Sequence, residues 1–430
     1  MIRSCRGAAV GLLTTLSPLC AQQPAEADLL DLTQHPERTV RAGQPFRAEL
    51  FGAPLERPGR DRRDVWAWDI GFATTPGIAD GAGQPLATIY VWQHPDDRHL
   101  LRALVSGVDN DVLYARSFGD DSGAEWVATF ESFTWPGELG EAIDGEVDDR
   151  EKLYYGYVRP GLGVGWRRRV GAEQDNLLAA DLVGEVGALY FGRGDSTAAT
   201  FETPDSTLEL RLHGKLRLDM LTRNLIEMPH DGYAAGADVI YGHRANWSDW
   251  GDPSIERHDA QRTRDYALLT AYAMGITAAP WSSDEGQRLV GAVHAGIGDG
   301  VDRFSARRIG GGPDTRGGEY ELTSRPVMPG AALGEFFPED YALFYAGYRL
   351  QASFFAFLDA GVTTGYLDRD RLVTGGRERS GDWLTAVSAR LSTGFYGNTR
   401  VQLLGAYNFD VVRDGEAGGF EFVLQVSGYF

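Results

Sequence analysis

A short stretch near the middle of the chain carries residue types that hydrolytic enzymes use. His243 is followed by Ser248 and Asp249, and a histidine beside a serine can take the hydroxyl proton and turn the oxygen into a nucleophile. The 8 histidines are scattered over the chain, so one such neighbourhood can arise by chance. We therefore predict no enzyme, and hydrolysis at His243 is kept as an alternative.

The other residues that could do chemistry are acidic. Asp144, Glu146, Asp148 and Asp149 lie together within 136–151, and carboxylate oxygens are the ligands that Ca²⁺ prefers. Their spacing matches no calcium-binding loop, so we predict a solvated acidic loop. The chain also lacks zinc-ligand spacing and a phosphate-binding glycine loop, and we predict neither a metal nor a cofactor.

The charge and the first residues narrow the class of protein. A formal net charge of −20 argues against a nucleic-acid partner, which needs a basic surface. Residues 1–21 have a basic start, an apolar stretch and then small residues. This order predicts a secretory signal peptide, cleaved after Ala21 or as late as residue 27. Both cysteines, Cys5 and Cys20, lie in this segment, so we expect no thiol chemistry in the exported chain.

The elements that must position any site are clearest at the C-terminal end. Phe420, Phe422, Leu424, Val426 and Phe430 fall on one parity, and mostly polar residues fall on the other. Because side chains alternate across a strand, one face is apolar and the other polar. A last strand of this kind, ending on an aromatic residue, is typical of transmembrane β-barrels and would act as their assembly signal. An amphipathic edge strand of a soluble sheet is the alternative.

The same alternation recurs along the chain, and no apolar run after the signal is long enough for a membrane helix. Aromatic residues make up 11% of the chain and glycines number 55, which suits a barrel. From the fifth strand onward, long and short connections alternate, as in barrels with short periplasmic turns and longer outer loops. We therefore predict an all-β fold, a sixteen-stranded antiparallel transmembrane barrel over 65–430. The predicted strands are 65–76, 84–94, 98–108, 110–119, 125–135, 152–170, 176–194, 206–222, 231–247, 263–280, 286–300, 341–351, 353–365, 382–396, 398–411 and 417–430.

Two short motifs lie around the predicted strands eleven to thirteen. The first is a glycine-rich run with an Arg-Gly pair in the longest connection, 301–340, and the second is a Phe-x-Asp-x-Gly stretch on strand thirteen. Together they resemble the bacterial surface-antigen superfamily of outer-membrane barrels, which includes the BamA and TamA assembly proteins and the two-partner-secretion transporters. Members of that family have sixteen strands and carry these motifs at the same places. The matching residues are Gly310, Gly311, Gly312, Arg316, Gly317, Gly318, Tyr320, Phe357, Asp359 and Gly361.

The resemblance implies a role for the long connection. In the family this loop folds back into the lumen, and the arginine at its tip pairs with the strand-thirteen aspartate. The matching residues, Arg316, Gly317 and Asp359, would form a latch between loop and barrel wall, because a guanidinium offers a planar fork to a carboxylate. The chain departs from the family at Gly318, where an aromatic residue is usual, and Tyr320 could substitute.

The resemblance also implies a function. We expect a barrel that inserts or exports proteins, or lipids, at the outer membrane of a Gram-negative-type bacterium, in contact with lipid and lipopolysaccharide. A weak seam between the first and last strands would open sideways, and Gly428 would weaken pairing there. The alternative is a passive pore or structural surface protein of the same fold.

The segment before the barrel departs from the family pattern. Members usually carry soluble polypeptide-transport domains there, and residues 22–64 are too few to hold one. We interpret 22–64 as a periplasmic tail or linker, either disordered or with a short helix that caps the barrel. A periplasmic partner could supply the missing soluble domains.

Overall fold

The barrel forms because most of the chain alternates between apolar and polar residues, and a closed sheet gives every backbone group a partner. In a computed structural model, which describes residues 29–78, 83–119, 122–147, 149–171, 173, 175–253, 256–313, 325–373, 376–394 and 398–429, sixteen antiparallel strands close into one barrel. The predicted fold class is confirmed. Within these residues, no helix is long and apolar enough to cross a membrane.

All sixteen predicted strands are present, with their ends shifted by a few residues. Each pairs with its chain neighbour, and the last pairs with the first. The barrel strands are β4 (Val65–Thr74), β5 (Gln84–Asp96), β6 (His99–Val105), β7 (Asp109–Ser117), β8 (Ala124–Thr134), β11 (Leu153–Arg169), β12 (Leu177–Arg193), β13 (Thr207–Arg223), β14 (Pro229–Arg244), β17 (Asp265–Ala278), β18 (Gln287–Asp299), β19 (Tyr341–Ser353), β20 (Ala356–Val373), β21 (Gly376–Thr393), β22 (Thr399–Arg413) and β23 (Glu416–Tyr429).

Smaller elements lie outside the wall. Before the barrel come β1 (Leu30–Asp31), β2 (Phe46–Leu50) and β3 (Ala53–Arg57), which form a three-stranded sheet. The connection after β8 holds the hairpin β9 (Ala142–Ile143) and β10 (Glu146–Val147) and a single 3₁₀ turn. The connection after β14 holds β15 (Trp250–Asp252), β16 (Glu256–His258) and the short helix α1 (Ala260–Thr263). We call the end of the barrel with both chain termini the terminal rim and the opposite end the loop rim.

The wall is apolar outside and polar inside. Large apolar side chains such as Leu162, Val239 and Trp383 are more than half exposed on the outer face, whereas Glu185 and Arg400 are buried on the inner face. This is the reverse of a soluble protein and suits a barrel with lipid around it and a hydrated, charged interior.

One predicted connection, 366–381, is wrong. The stretch continues β20 and β21 in an unbroken ladder from Ala356–Thr393 to Val373–Gly376. Its charged residues form cross-strand pairs, with 3.2 Å between Arg369 Nε and Asp382 Oδ2. Opposite charges on facing strands stabilise a sheet.

The long connection between β18 and β19 packs inside the barrel where it is described, at 300–313 and 325–340. Its apolar residues form a buried cluster with inward-facing residues of the wall strands β19 to β22. The cluster consists of Ile309, Met328, Ala331, Phe336, Tyr341, Leu343, Leu367, Leu384, Ala386 and Val411. The lumen therefore has an apolar core on this side, in place of open water.

Aromatic side chains close the loop rim. Phe304, from the long connection, packs against Tyr155 at 5.1 Å, Phe191 at 4.8 Å and Trp250 at 5.1 Å between ring centroids. These partners come from three different connections or strand ends. The outer loops are thus tied to the lumenal segment by edge-to-face and tilted ring contacts, which stabilise the packing beyond simple burial.

The N-terminal sheet closes part of the terminal rim. Leu30, Val40 and Phe46 are buried against Leu225 and Phe354, which lie in two of the short turns. The backbone N–H of Leu225 donates to the carbonyl of Val40 at 2.9 Å. The short helix considered for 22–64 is not found among its described residues, and 29–64 is folded rather than disordered.

Candidate functional site: the strand seam and the lumenal segment

The seam between the first and last barrel strands is a continuous ladder. β23 pairs with β4 from Phe422–Thr74 to Tyr429–Ala67. Gly428 pairs with Trp68 within this ladder, so the expectation of poor pairing at the glycine is not met. A Cβ added at Gly428 would lie 2.4 Å from the indole Nε1 of Trp68. The glycine therefore makes room for the indole.

A buried carboxylate crosses the seam on its lumenal side. Asp69 on β4 is 1% exposed, and it accepts hydrogen bonds from the Gln425 amide at 3.1 Å and from the Ser427 hydroxyl, both on β23. The Thr88 hydroxyl on β5 donates to its other oxygen at 3.1 Å. Hydrogen bonds to an ionised acceptor are stronger than neutral ones, so Asp69 joins three consecutive strands across the closure.

The wall is low on the N-terminal side of the seam and lowest at β6, two strands from β4. β4 has 10 residues and β6 only 7, whereas β20 and β21 on the other side have 18 each. A strand needs about 9–11 residues to cross the hydrocarbon layer. The seam is therefore flanked on its N-terminal side by the shortest strands of the barrel.

The last strand has the predicted two faces. Phe420, Phe422 and Leu424 are exposed on the outer surface, and Glu421 is buried in the lumen. Val426 is half-buried, and Phe430 lies outside the described residues. Their role as an assembly signal stays a prediction.

Glu421 also holds the lumenal segment. Its carboxylate accepts hydrogen bonds from the backbone N–H groups of Gly312 and Gly330, the second at 2.9 Å. A Cβ at Gly311 would lie 2.2 Å from Glu421 Oε1. The glycine run 310–312 thus lets the segment approach the last strand, whereas sequence analysis identified these glycines only as a match to a family motif.

The two motifs of the predicted latch are only partly described. Asp359 forms an ion pair with Arg349 on the neighbouring strand, with 2.5 Å between Nε and Oδ1. Phe357 is fully buried, and a Cβ at Gly361 would lie 2.5 Å from the ring of Tyr345. The tip residues Arg316, Gly317, Gly318 and Tyr320 lie outside the described residues, so the latch stays a prediction.

An ion-pair network fixes the N-terminal segment to the terminal rim. Arg62 reaches Asp175 at 3.0 Å and Glu227 at 2.7 Å, and Arg223 reaches Asp175 at 2.6 Å. Burial alone would raise the pKa of Asp175, but Arg223 and Arg62 hold it below its usual value. Likewise, burial opposes the charge on Arg62, and Glu227 and Asp175 outweigh it and raise its pKa. Sequence analysis did not identify these residues, because each lies in a different turn or in the tail.

The turn between β13 and β14 completes the closure. Leu225 in this turn accepts a hydrogen bond from the Tyr429 hydroxyl at 3.0 Å. In strand order Tyr429 lies on the far side of the barrel. Ile226 and Met228 also contact Phe357, so this turn crosses the opening at the terminal rim.

The residues considered for hydrolysis do not form a catalytic arrangement. The ring of His243 hydrogen-bonds Asp265 at 2.7 Å, whereas the Ser248 hydroxyl accepts from the backbone N–H of Asp205 at 3.1 Å. Asp249 accepts from the backbone N–H of Ala260 at 2.9 Å. Each member has a separate structural role.

The acidic residues are likewise used as structural partners. Asp144 pairs with Arg369 at 3.2 Å and accepts from the backbone N–H of Leu372 at 2.9 Å. Glu146 belongs to the hairpin strand β10, Asp148 lies outside the described residues, and the side chain of Asp149 is not described. Asp144 therefore fixes the outer hairpin to the long wall strand.

A second acidic group lies inside the lumen. Glu131, Glu185 and His213 have ligand atoms within 4.8 Å of one another. Arg211 lies 3.2 Å from Glu185 and Lys215 lies 3.8 Å from Glu131. Two cations already neutralise the carboxylates that a metal ion would need, so the group fits a charge network better than a metal site.

The comparisons with known proteins concern the fold. No protein-family model and no curated protein sequence matches the chain. The barrel is similar to the crystal structure of BamA from Haemophilus ducreyi lacking POTRA domains 1–3, with a TM-score of 0.51 and 10% sequence identity, over 90% of this chain and 75% of that chain.

Two other solved structures are similar in overall shape. CdiB from Escherichia coli matches with a TM-score of 0.48 and 11% identity, over 90% of this chain and 67% of that chain. CdiB from Acinetobacter baumannii matches with a TM-score of 0.45 and 10% identity, over 89% and 65%. The likeness to BamA shows a shared barrel fold.

Proposed function

We propose that this chain is an outer-membrane barrel that inserts or exports proteins, using the seam between β23 and β4. The observation that carries the proposal is the low wall beside this seam. The motif resemblance and the fold likeness to BamA support it, and they suggest the outer membrane of a Gram-negative-type bacterium as its place. Its surroundings would be lipid and lipopolysaccharide, and its partners would be client proteins and a periplasmic protein with soluble domains.

The low wall has a physical consequence for the membrane. At about 3.3 Å per residue, the 7 residues of β6 extend roughly 23 Å, or about 16 Å along the membrane normal at a tilt of ~45°. The hydrocarbon layer is about 30 Å thick. Lipid next to a short span must thin, at a fraction of a kcal/mol per Å. A client strand entering beside the seam would therefore meet a thinner and less ordered layer.

The closed lumen favours this function over a passive pore. The described parts of the long connection fill one side of the lumen, and the N-terminal sheet and the turn at Leu225 lie across the terminal rim. An unfilled barrel of sixteen strands would enclose a wide water channel. We therefore expect little steady conductance in planar bilayers, which a passive pore would show.

The test locks the seam with a disulfide. Ile70 and Val426 face each other across the seam, at a separation that suits a disulfide in an antiparallel pair. The variant Ile70→Cys/Val426→Cys would be reconstituted in liposomes and challenged with an unfolded eight-stranded barrel protein as client. We expect protease-protected client in the reduced sample and none in the oxidised sample.

The control places the same bond elsewhere in the wall. Ala360 and Ala389 face each other between β20 and β21, so Ala360→Cys/Ala389→Cys adds a disulfide away from the seam. Oxidation of this control should leave client insertion unchanged. Equal insertion by the oxidised seam variant would contradict the seam mechanism, and failure of the unmodified protein to accelerate insertion would contradict the function itself.

A further inference from the structure

A cavity of about 440 Å³ lies inside the lumen, between the loop residues 303–308 and the inner faces of β6 to β14 and β17. Nine basic and four acidic side chains line it. The whole chain has the opposite balance, with a formal net charge of −20. The described lining is therefore the place where an acidic protein concentrates positive charge.

Most of the cations on the barrel wall have acidic partners. Arg159 lies 2.7 Å from Glu209, and Arg217 lies 2.6 Å from Asp238. Arg102 is paired with Asp111 in the same way. These pairs cancel the charge of the wall, so they do not by themselves attract a ligand.

The cations on the loop are different. Arg307 projects into the cavity and forms no ion pair or hydrogen bond with any described residue, although it is half-buried. Its neighbour Arg308 lies over the ring of Phe133, 4.2 Å from the centroid, and donates to the Tyr155 hydroxyl. Neither contact supplies a negative charge, so two adjacent guanidinium groups lie in the lumen with no carboxylate of the described residues in contact.

A third loop cation, Arg303, is balanced by acidic neighbours. It donates to the backbone carbonyl of Glu151 at 3.4 and 3.5 Å, and the carboxylates of Glu141, Glu151 and Asp302 act on its charge. The one carboxylate of the described lining not paired with a wall cation is Asp109, which lies close enough to Arg308 to act on its charge. Arg307 and Arg308 facing Asp109 leave an excess of one positive charge.

We propose that this cavity binds a phosphate-bearing anion, with Arg307 and Arg308 as its principal ligands. An anion would balance the excess charge, and a guanidinium can hold two phosphate oxygens with parallel hydrogen bonds. Asn110, Ser305 and Tyr157 line the same cavity and offer neutral donors to the remaining oxygens. The volume admits a small soluble ligand such as a phosphate monoester.

The source of the phosphate is a free solute or a lipid headgroup, which share this chemistry. The cavity lies inside the wall, away from the acyl layer, so a soluble anion is the ligand that the position favours. The two sources differ in their acyl chain, and separate binding measurements with matched compounds distinguish them.

The experiment measures binding by the full-length protein in detergent, without a client. Inorganic phosphate, pyrophosphate and glycerol 3-phosphate would be titrated by calorimetry, and short-chain lysophosphatidic acid would form the lipid arm. We expect saturable binding of at least one soluble probe, and at least a ten-fold weaker affinity in Arg307→Gln. Binding of the lipid probe alone would retain the phosphate site and assign it to headgroups.

The control is Arg257→Gln, because Arg257 is exposed in an outer loop and pairs with Glu202 at 3.1 Å. This variant should bind like the unmodified protein. Arg307 is half-buried and makes no ion pair or hydrogen bond with described residues, so its replacement should leave the heat-modifiable gel mobility unchanged. Absence of binding by every probe, or equal binding by Arg307→Gln, would overturn the proposal. Neither result depends on whether clients are inserted.

Discussion

Replacing Asp69 should loosen the seam without unfolding the barrel. Its carboxylate accepts hydrogen bonds from Gln425 and Ser427 across the seam, and from Thr88 on the next strand. Opening breaks only the first two, so at about 1.5 kcal/mol for each bond to a charged acceptor, Asp69→Ala should favour opening by about 3 kcal/mol, or roughly a hundred-fold in the opening equilibrium. Asp69→Asn keeps an acceptor oxygen and should cost about 1 kcal/mol.

Hydrogen–deuterium exchange measures seam opening directly, because the backbone amides of the β23–β4 ladder exchange only when the seam opens. Exchange of the peptide covering 422–429 should be about a hundred times faster in Asp69→Ala and several times faster in Asp69→Asn. Asp382→Ala is the matched control, since Asp382 is a wall carboxylate on β21, two strands from β23, and pairs with Arg369. Unchanged exchange at 422–429 in folded Asp69→Ala, or the same increase in the control, would refute the reasoning.

Three further perturbations test other contacts. Glu421→Ala removes the acceptor of two backbone N–H groups in the lumenal segment. The docking of that segment should weaken by about 3 kcal/mol, and bilayer conductance steps should become more frequent. Unchanged conductance would show that other contacts hold the segment. His258 has its pKa lowered to about 4 by burial and by Arg303, so the outer-loop packing should be complete above pH 6.5 and weaken as the pH falls toward 4, by up to about 3 kcal/mol. Tryptophan fluorescence should follow this transition, and a His258→Phe variant with the same transition would contradict the assignment. For the predicted latch, Arg316→Asp should raise the bilayer conductance, and adding Asp359→Arg should restore the low conductance. If Asp359→Arg instead restores only an Arg349→Asp variant, the partner of Asp359 is Arg349 on the wall.

The strands could be predicted because the sequence of each strand alternates between apolar and polar residues. This pattern is local, and it located all sixteen strands, including the short β6 and β7. It failed at 366–381, where both faces carry charges and the strand is held by cross-strand ion pairs. Such pairing depends on the register between two segments, which one strand alone does not reveal.

The lumenal contacts could be predicted only in part. The glycine run 310–312 and the inward face of Glu421 were predicted separately, but their contact depends on how the loop folds. The network of Arg62, Asp175 and Glu227 was not predicted, because its members come from parts of the chain with no shared pattern. Asp359 was predicted to pair with Arg316, which lies outside the described residues, and in the described structure it pairs with Arg349 on the neighbouring strand.

The N-terminal sheet has a consequence for the order of folding. This segment is made first, yet Thr39 bonds to Gln351, 312 residues later, and Arg62 bonds to Glu227, 165 residues later. Contacts over such separations form late, because loop closure must come first. The segment can therefore dock only on turns that already stand side by side, and its docking would mark a barrel whose strands have all found their neighbours.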